Sequence, residues 1–177
     1  ALYDRDHALV IDPVLTFSTY LGLDLDDEAT DVAVDGDGNI YVVGSLLFHS
    51  TAPGTFGTDH DGFLLKLTPD GTNVLYFARI GGTYTDQIRG VAVDAAGIAY
   101  LTGNTSSSDF PVSTTAYSAT PRKVPDAFLC AIDTNAPVEE SLLYSTHFPA
   151  DQGNAIALDA AGNVFITGRA SWGFTTT

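Results

Sequence analysis

A chain of 177 residues, 45% apolar and only 16% charged, is long enough to bury a core of its own and too apolar to be disordered. Its 22 acidic residues against 7 basic ones give a net charge of −15, which repels phosphate backbones and anionic lipid and excludes nucleic acid and membrane insertion as expected partners. A single cysteine, Cys130, excludes an intrachain disulfide, and no apolar stretch reaches membrane-spanning length.

The acidity either keeps an adhesive β-protein soluble or makes divalent cations natural partners. The chain opens on alanine and has no methionine, as expected where a leading segment has been removed or where the sequence is a piece of a longer protein. Val, Ile, Leu, Tyr and Phe dominate the apolar residues, and 17 Gly and 8 Pro cut them into short runs. That pattern predicts an all-β chain with many turns.

In chain order, His7-Ala-Leu-Val-Ile-Asp12 and Leu15-Thr-Phe-Ser-Thr-Tyr-Leu21 read as two strands joined through Pro13. The segment Asp31-Val-Ala-Val-Asp-Gly-Asp-Gly-Asn-Ile-Tyr-Val-Val-Gly44 follows. It returns as Gly90-Val-Ala-Val-Asp-Ala-Ala-Gly-Ile-Ala-Tyr-Leu-Thr-Gly103 and again as Ala155-Ile-Ala-Leu-Asp-Ala-Ala-Gly-Asn-Val-Phe-Ile-Thr-Gly168. Each copy predicts a hairpin: a strand, an Asp (Asp35, Asp94, Asp159) that bonds turn amides, a Gly (Gly38, Gly97, Gly162) free to take positive φ, and a second strand with a recurring aromatic. Two further strands follow each of the first two hairpins. Asp61-Gly-Phe-Leu-Leu-Lys-Leu67 matches Asp126-Ala-Phe-Leu-Cys-Ala-Ile132, and Val74-Leu-Tyr-Phe-Ala-Arg-Ile80 matches Leu142-Leu-Tyr-Ser-Thr-His-Phe148.

The unit is thus four antiparallel strands, a to d, which is one β-propeller blade. Both faces of a blade pack on neighbours, so its strands read as nearly continuous apolar runs. The expected layout is a half blade of strands c and d over residues 1–29, a blade over 30–81, a blade over 88–148, a half blade of strands a and b over 153–168, and a tail over 169–177. These make about three blade equivalents in permuted order, which one chain cannot close, because a propeller needs at least four blades. The exposed half blades are complementary in type. Their expected assembly edges are Leu9, Val10, Ile11, Phe17 and Tyr20 at one end and Ile156, Leu158, Phe165, Trp172 and Phe174 at the other.

The string Thr16-Phe-Ser-Thr-Tyr-Leu-Gly22, then Asp26-Asp27, Val32-Ala-Val-Asp35, Gly38-Asn39 and Tyr41-Val-Val-Gly44, resembles the bacterial seven-bladed β-propeller (SBBP) repeat. So does Thr102-Gly-Asn-Thr-Ser-Ser-Ser-Asp-Phe-Pro111 followed by Asp126-Ala-Phe128. The resemblance runs from about residue 14 to 168 and departs from the pattern over Leu46–Phe56 and at Pro149. It implies a secreted or cell-surface bacterial protein, often large and multidomain, and carries no catalytic residues to transfer.

Among candidate sites, the acidic stretch Asp24, Asp26, Asp27 and Glu28 is the densest group of carboxylates and the expected place for a bound Ca²⁺. Asp27 has counterparts at Asp86 and Asp151, a periodicity that suits a structural loop cap better than a metal ligand, whereas Asp24, Asp26 and Glu28 are not repeated. Asp35-Gly-Asp-Gly-Asn39 resembles half a calcium loop, but the bidentate Glu is missing, since Leu46 stands at its position, and Ala96 and Ala161 replace Asp37. A hairpin turn is the simpler reading. Asp59-His60-Asp61 reads as a surface loop leading into a strand, and His7, His49, His60 and His147 show no metal-ligand spacing. Cys130, in an apolar run, reads as a buried inert thiol. Nucleophile motifs and phosphate-binding glycine loops are absent.

The expected function is therefore a non-enzymatic, secreted or cell-surface module. It would pair half blade to half blade with other copies of itself, into a ring or filament, or with the missing part of a larger propeller. One alternative is a fragment that binds glycan or protein on its loop face, through loops 45–60 and 104–125 with Phe48 and Phe56 in the first. A propeller lyase or hydrolase is the third possibility.

Overall fold

The computed structural model describes residues 27–47, 60–121 and 124–171. Ten strands and one 3₁₀ turn, Val138–Glu140, make up their regular structure. Strands β1 (Asp27–Val34), β2 (Ile40–Leu47), β3 (His60–Leu67) and β4 (Val74–Ile80) form one antiparallel sheet in sequence order. β5 (Asp86–Val93), β6 (Ile98–Thr105), β7 (Asp126–Asp133) and β8 (Leu142–Phe148) form a second of the same design. β9 (Gln152–Leu158) and β10 (Val164–Arg169) make a two-stranded sheet. The fold is all-β, built of propeller blades, with two four-stranded blades and the inner half of a third; the sheets do not close. No helix among the described residues is long and apolar enough to cross a membrane.

The turn chemistry explains why the hairpins recur. Asp35 Oδ1 accepts from the amides of Asp37 and Asn39 at 3.0 and 2.9 Å, and its Oδ2 accepts from Asn39 Nδ2 and Tyr41 Oη. Asp94 and Asp159 bind the matching amides. Gly38, Gly97 and Gly162 sit at φ 84°, 81° and 82°, where a side chain would strain the turn. A register shift interrupts the first pair of strands in every copy, at Ala29/Asp31, Ile88/Gly90 and Thr167/Gly168. The extra residue bends the inner strand. In the first copy it is Thr30, whose hydroxyl reaches the Ile88 carbonyl of the next blade at 2.7 Å.

The main core lies between the two full blades. Tyr41, Val43, Leu64, Tyr76 and Ile80 of the first pack on Ile88, Leu101, Phe128, Cys130 and Ile132 of the second. Asp31 Oδ2 accepts from Val91 N, and Tyr76 Oη shares a 2.7 Å hydrogen bond with Ser141 Oγ, so polar ties cross the junction at its inner and outer strands. Cys130 is fully buried there beside Ser145 Oγ.

Two details differ from the sequence reading. Asp27 and Glu28 belong to strand, not loop, because β1 begins at Asp27 and pairs these two residues with Leu46 and Ser45. His60 likewise belongs to β3, one residue ahead of the Asp61 with which the sequence reading opened that strand, since the pairing of β2 with β3 extends to Leu47 and His60.

Candidate assembly edge

The hairpin β9–β10 alternates between two faces. Ile156, Leu158, Val164 and Ile166 are half-buried, while Phe165, Ala155, Ala157 and Thr167 are exposed. Its inner strand docks on the second blade through Gly153, where a Cβ would collide with Thr102 Oγ1, and through Ala155, which lies against Gly90. Beyond this contact the two elements diverge. They enclose a cleft of about 520 Å³ lined by Ala127, Leu129 and Phe148 on the blade and by Val164, Ile166 and Gly168 on the hairpin. In both full blades the second strand pairs with a third along its whole length. Among the described residues β10 pairs only with β9, so its outer edge faces the cleft. The cleft therefore occupies the place where strands c and d of a third blade would lie.

The same repeat position is covered in one blade and bare in the last. Tyr41 is 0% exposed, its counterpart Tyr100 is half-buried, and Phe165 is 57% exposed. At the opposite end the order reverses. Val32 is 60% exposed, whereas its counterpart Val91 is 5% exposed beneath the first blade. Each copy of the position is thus buried or bare according to whether a neighbouring blade lies on it, and the described residues have a bare apolar face at each end.

The blade junctions also gather charge. Asp86, fully buried at the start of β5, accepts from Gly82 N at 2.7 Å and Ser107 Oγ at 2.8 Å, and burial pushes its carboxyl above the usual range. Asp151, at the equivalent place, accepts from Ser171 N. Both cap loops. Arg79 pairs with Asp61 at the surface, and the corresponding pair of the second blade, His147 and Asp126, is buried.

Of the residues singled out from sequence, Ile156, Leu158 and Phe165 lie on the open hairpin. Leu9, Val10, Ile11, Phe17, Tyr20, Asp24, Asp26, Trp172 and Phe174 fall outside the described residues, as do His7, His49, Phe48, Phe56 and Asp59. Among the described residues no three His, Cys, Asp or Glu side chains gather as metal ligands, and Asp27 and Glu28 stand in β1. Ala127, Leu129, Phe148, Val164 and Ile166, which wall the cleft, were not legible as a group; they come together only when the hairpin docks.

A family model for the SBBP beta-propeller repeat matches residues 16–45 and 75–111. These two segments match the SBBP repeat. No curated protein matches it. The second SBBP match begins in β4 and ends beyond β6, so it takes the outer strand of one blade and the inner strands of the next. The second SBBP match is therefore offset from the blade and bridges two sheets.

Proposed function

We propose that the chain is a non-enzymatic structural module, secreted or displayed at the cell surface, that joins copies of itself by completing blades between them. The observation that carries this is the bare Phe165 at a position that is sealed in Tyr41, next to an open strand edge and an apolar cleft. Residues 7–21, read from sequence as strands c and d, would fill the cleft of another copy. The Val32 face of that copy would then cover Phe165. Such a contact joins unlike surfaces, head to tail, and gives a ring if the rotation closes and a filament if it does not. Backbone hydrogen bonds along β10 would supply affinity, and the apolar cleft would set register. Calcium between the acidic chains would damp their repulsion. Secretion rests on the habits of proteins that carry this repeat.

Size-exclusion chromatography with light scattering tests it directly. We expect oligomers at micromolar concentration that a peptide of residues 7–21 dissolves. A chain that stays monomeric at that concentration overturns the proposal.

A second reading has its own observation. Tyr84, 56% exposed, and Val124 border a hollow of about 390 Å³ with Ser106 and Ser108 on the loop face. A solvent-facing ring beside hydroxyls suits a glycan or protein ligand on this face of a larger propeller. A longer chain that closes as a monomer and binds glycans through Tyr84 would favour it.

A further inference from the structure

The two full blades show what strand c puts into a blade junction. In both it opens on Asp-x-Phe-Leu, at residues 61–64 and 126–129. Each Phe stands opposite a glycine of strand b: Phe63 pairs with Gly44 and Phe128 with Gly103. That glycine lets the bulged inner strand come close, since a Cβ would run into the carbonyl of Glu28 or Gln87. The same missing side chain leaves room for a ring on the next strand, for a Cβ at Gly44 would also stand 2.8 Å from the Phe63 ring. Both rings are sealed, at 2% and 0% exposure. Phe128 belongs to the core of the junction, in one cluster with Leu64 and Ile80 of the first blade and Ile88 of its own.

The cleft beside the last hairpin repeats this seat without its ring. Gly168 is the counterpart of Gly44 and Gly103, and it lines the cleft. Leu129 and Phe148 stand on the opposite wall, where the first junction has Leu64 and Ile80. Gly153 takes the place of Ile88, so the second seat also lacks a side chain that helps to fill the first. A small residue entering here would leave a void among apolar groups, which is costly.

We infer that the cleft selects its strand by an aromatic anchor: it takes a c–d hairpin that opens on Asp-x-Phe-Leu, with the Phe opposite Gly168 and against Leu129 and Phe148. The partner is half a blade of this same repeat type, added along the edge of β10. Residues 7–12, read from sequence as the first strand c, contain no Phe, Tyr or Trp, so they fill the seat less well than residues 61–67 would. The inference rests on the reading that the cleft receives strands c and d, and it names the side chain that decides among them.

Fluorescence anisotropy of labelled peptides titrated with the intact chain tests it. A peptide of residues 60–80 should bind about tenfold or more tightly than a peptide of residues 7–21, because a buried aromatic anchor commonly contributes at least that factor. Phe63→Ala in the peptide should remove the advantage. Ile166→Asp in the chain, which places a charge in the cleft, should weaken the Phe63 peptide by a similar factor. The inference is overturned if residues 7–21 bind as tightly as residues 60–80, if the Phe63→Ala peptide binds unchanged, if Ile166→Asp has no effect, or if no peptide binds; the first two outcomes leave self-association intact. A chain that stays monomeric yet binds the Phe63 peptide in the cleft sinks self-association and upholds the anchor.

Discussion

His147 Nδ1 lies 3.9 Å from Asp126 Oδ2, and both side chains are almost wholly buried. Phe110 flanks the imidazole, with ring centres 6.0 Å apart, and neither ring nitrogen has a hydrogen-bond partner. Burial holds the His147 pKa below its ordinary 6.5. The unfolded chain therefore takes up a proton near pH 6.5 while the folded chain resists it. The stability that a neutral His147 provides is present above about pH 6.5 and is lost as pH falls from there through the lowered folded value. Melting temperatures measured from pH 7.5 to 5 should fall, and His147→Gln should flatten that slope. Asp86 works with the opposite sign, since a raised carboxyl favours the fold as acid protonates it above its ordinary 3.8. A slope unchanged in His147→Gln would assign the loss to other groups.

The backbone scheme was legible because its causes are local. The Asp35 turn, the positive φ of Gly38 and the aromatic two residues after Asn39 all act within one hairpin, and three copies repeat them. What lay beyond the sequence depends on which blade faces which. Lys66 meets Thr134 and Asn135, 68 and 69 positions away, only because the first blade packs on the second. His147 matches the surface residue Arg79 in the repeat, yet it is buried, because Phe110 from the long loop after β6 lies on it. The strand character of Asp27 and Glu28 was hidden by their charge, since a register that continues to Leu46 is a property of the pair of strands, not of either one.

Two glycines of the same hairpin unit should respond differently to alanine. At Gly103 a Cβ would be driven into the carbonyl of Gln87, and the backbone there has no slack. Gly103→Ala should cost about 2–3 kcal/mol or more by urea denaturation. At Gly162 the space is open, and the cost is only that of holding alanine at φ 82°, about 1 kcal/mol. Equal costs at the two sites would mean that crowding at the bulge is relieved by movement of β5.

Burial pushes the Cys130 thiol up to about 12, well beyond the range in which a thiolate forms at neutral pH. Ellman's reagent at pH 8 should leave the folded chain untouched and label one thiol after denaturation. Prompt labelling of the native chain would show that the junction between the two blades opens readily.

Phe165 and Tyr41 hold one repeat position under opposite conditions, and the contrast separates folding from assembly. Tyr41 is sealed between the full blades, where its hydroxyl meets Asp35 Oδ2 at 3.1 Å and its ring lies under Lys66. Tyr41→Ala should cost about 3–5 kcal/mol, as deletion of a buried aromatic generally does. Phe165, with most of its surface in water, makes little contribution to the isolated chain, so Phe165→Ser should change stability by less than about 0.5 kcal/mol. In an assembly the same ring becomes the counterpart of a buried Tyr41, and its loss should weaken association by about tenfold or more, read by light scattering over a dilution series. Were Phe165→Ser to destabilise the monomer as Tyr41→Ala does, the ring would already be packed in the free chain and its exposure would not mark an interface. Were neither stability nor association to change, the hairpin face would be bare surface with no partner.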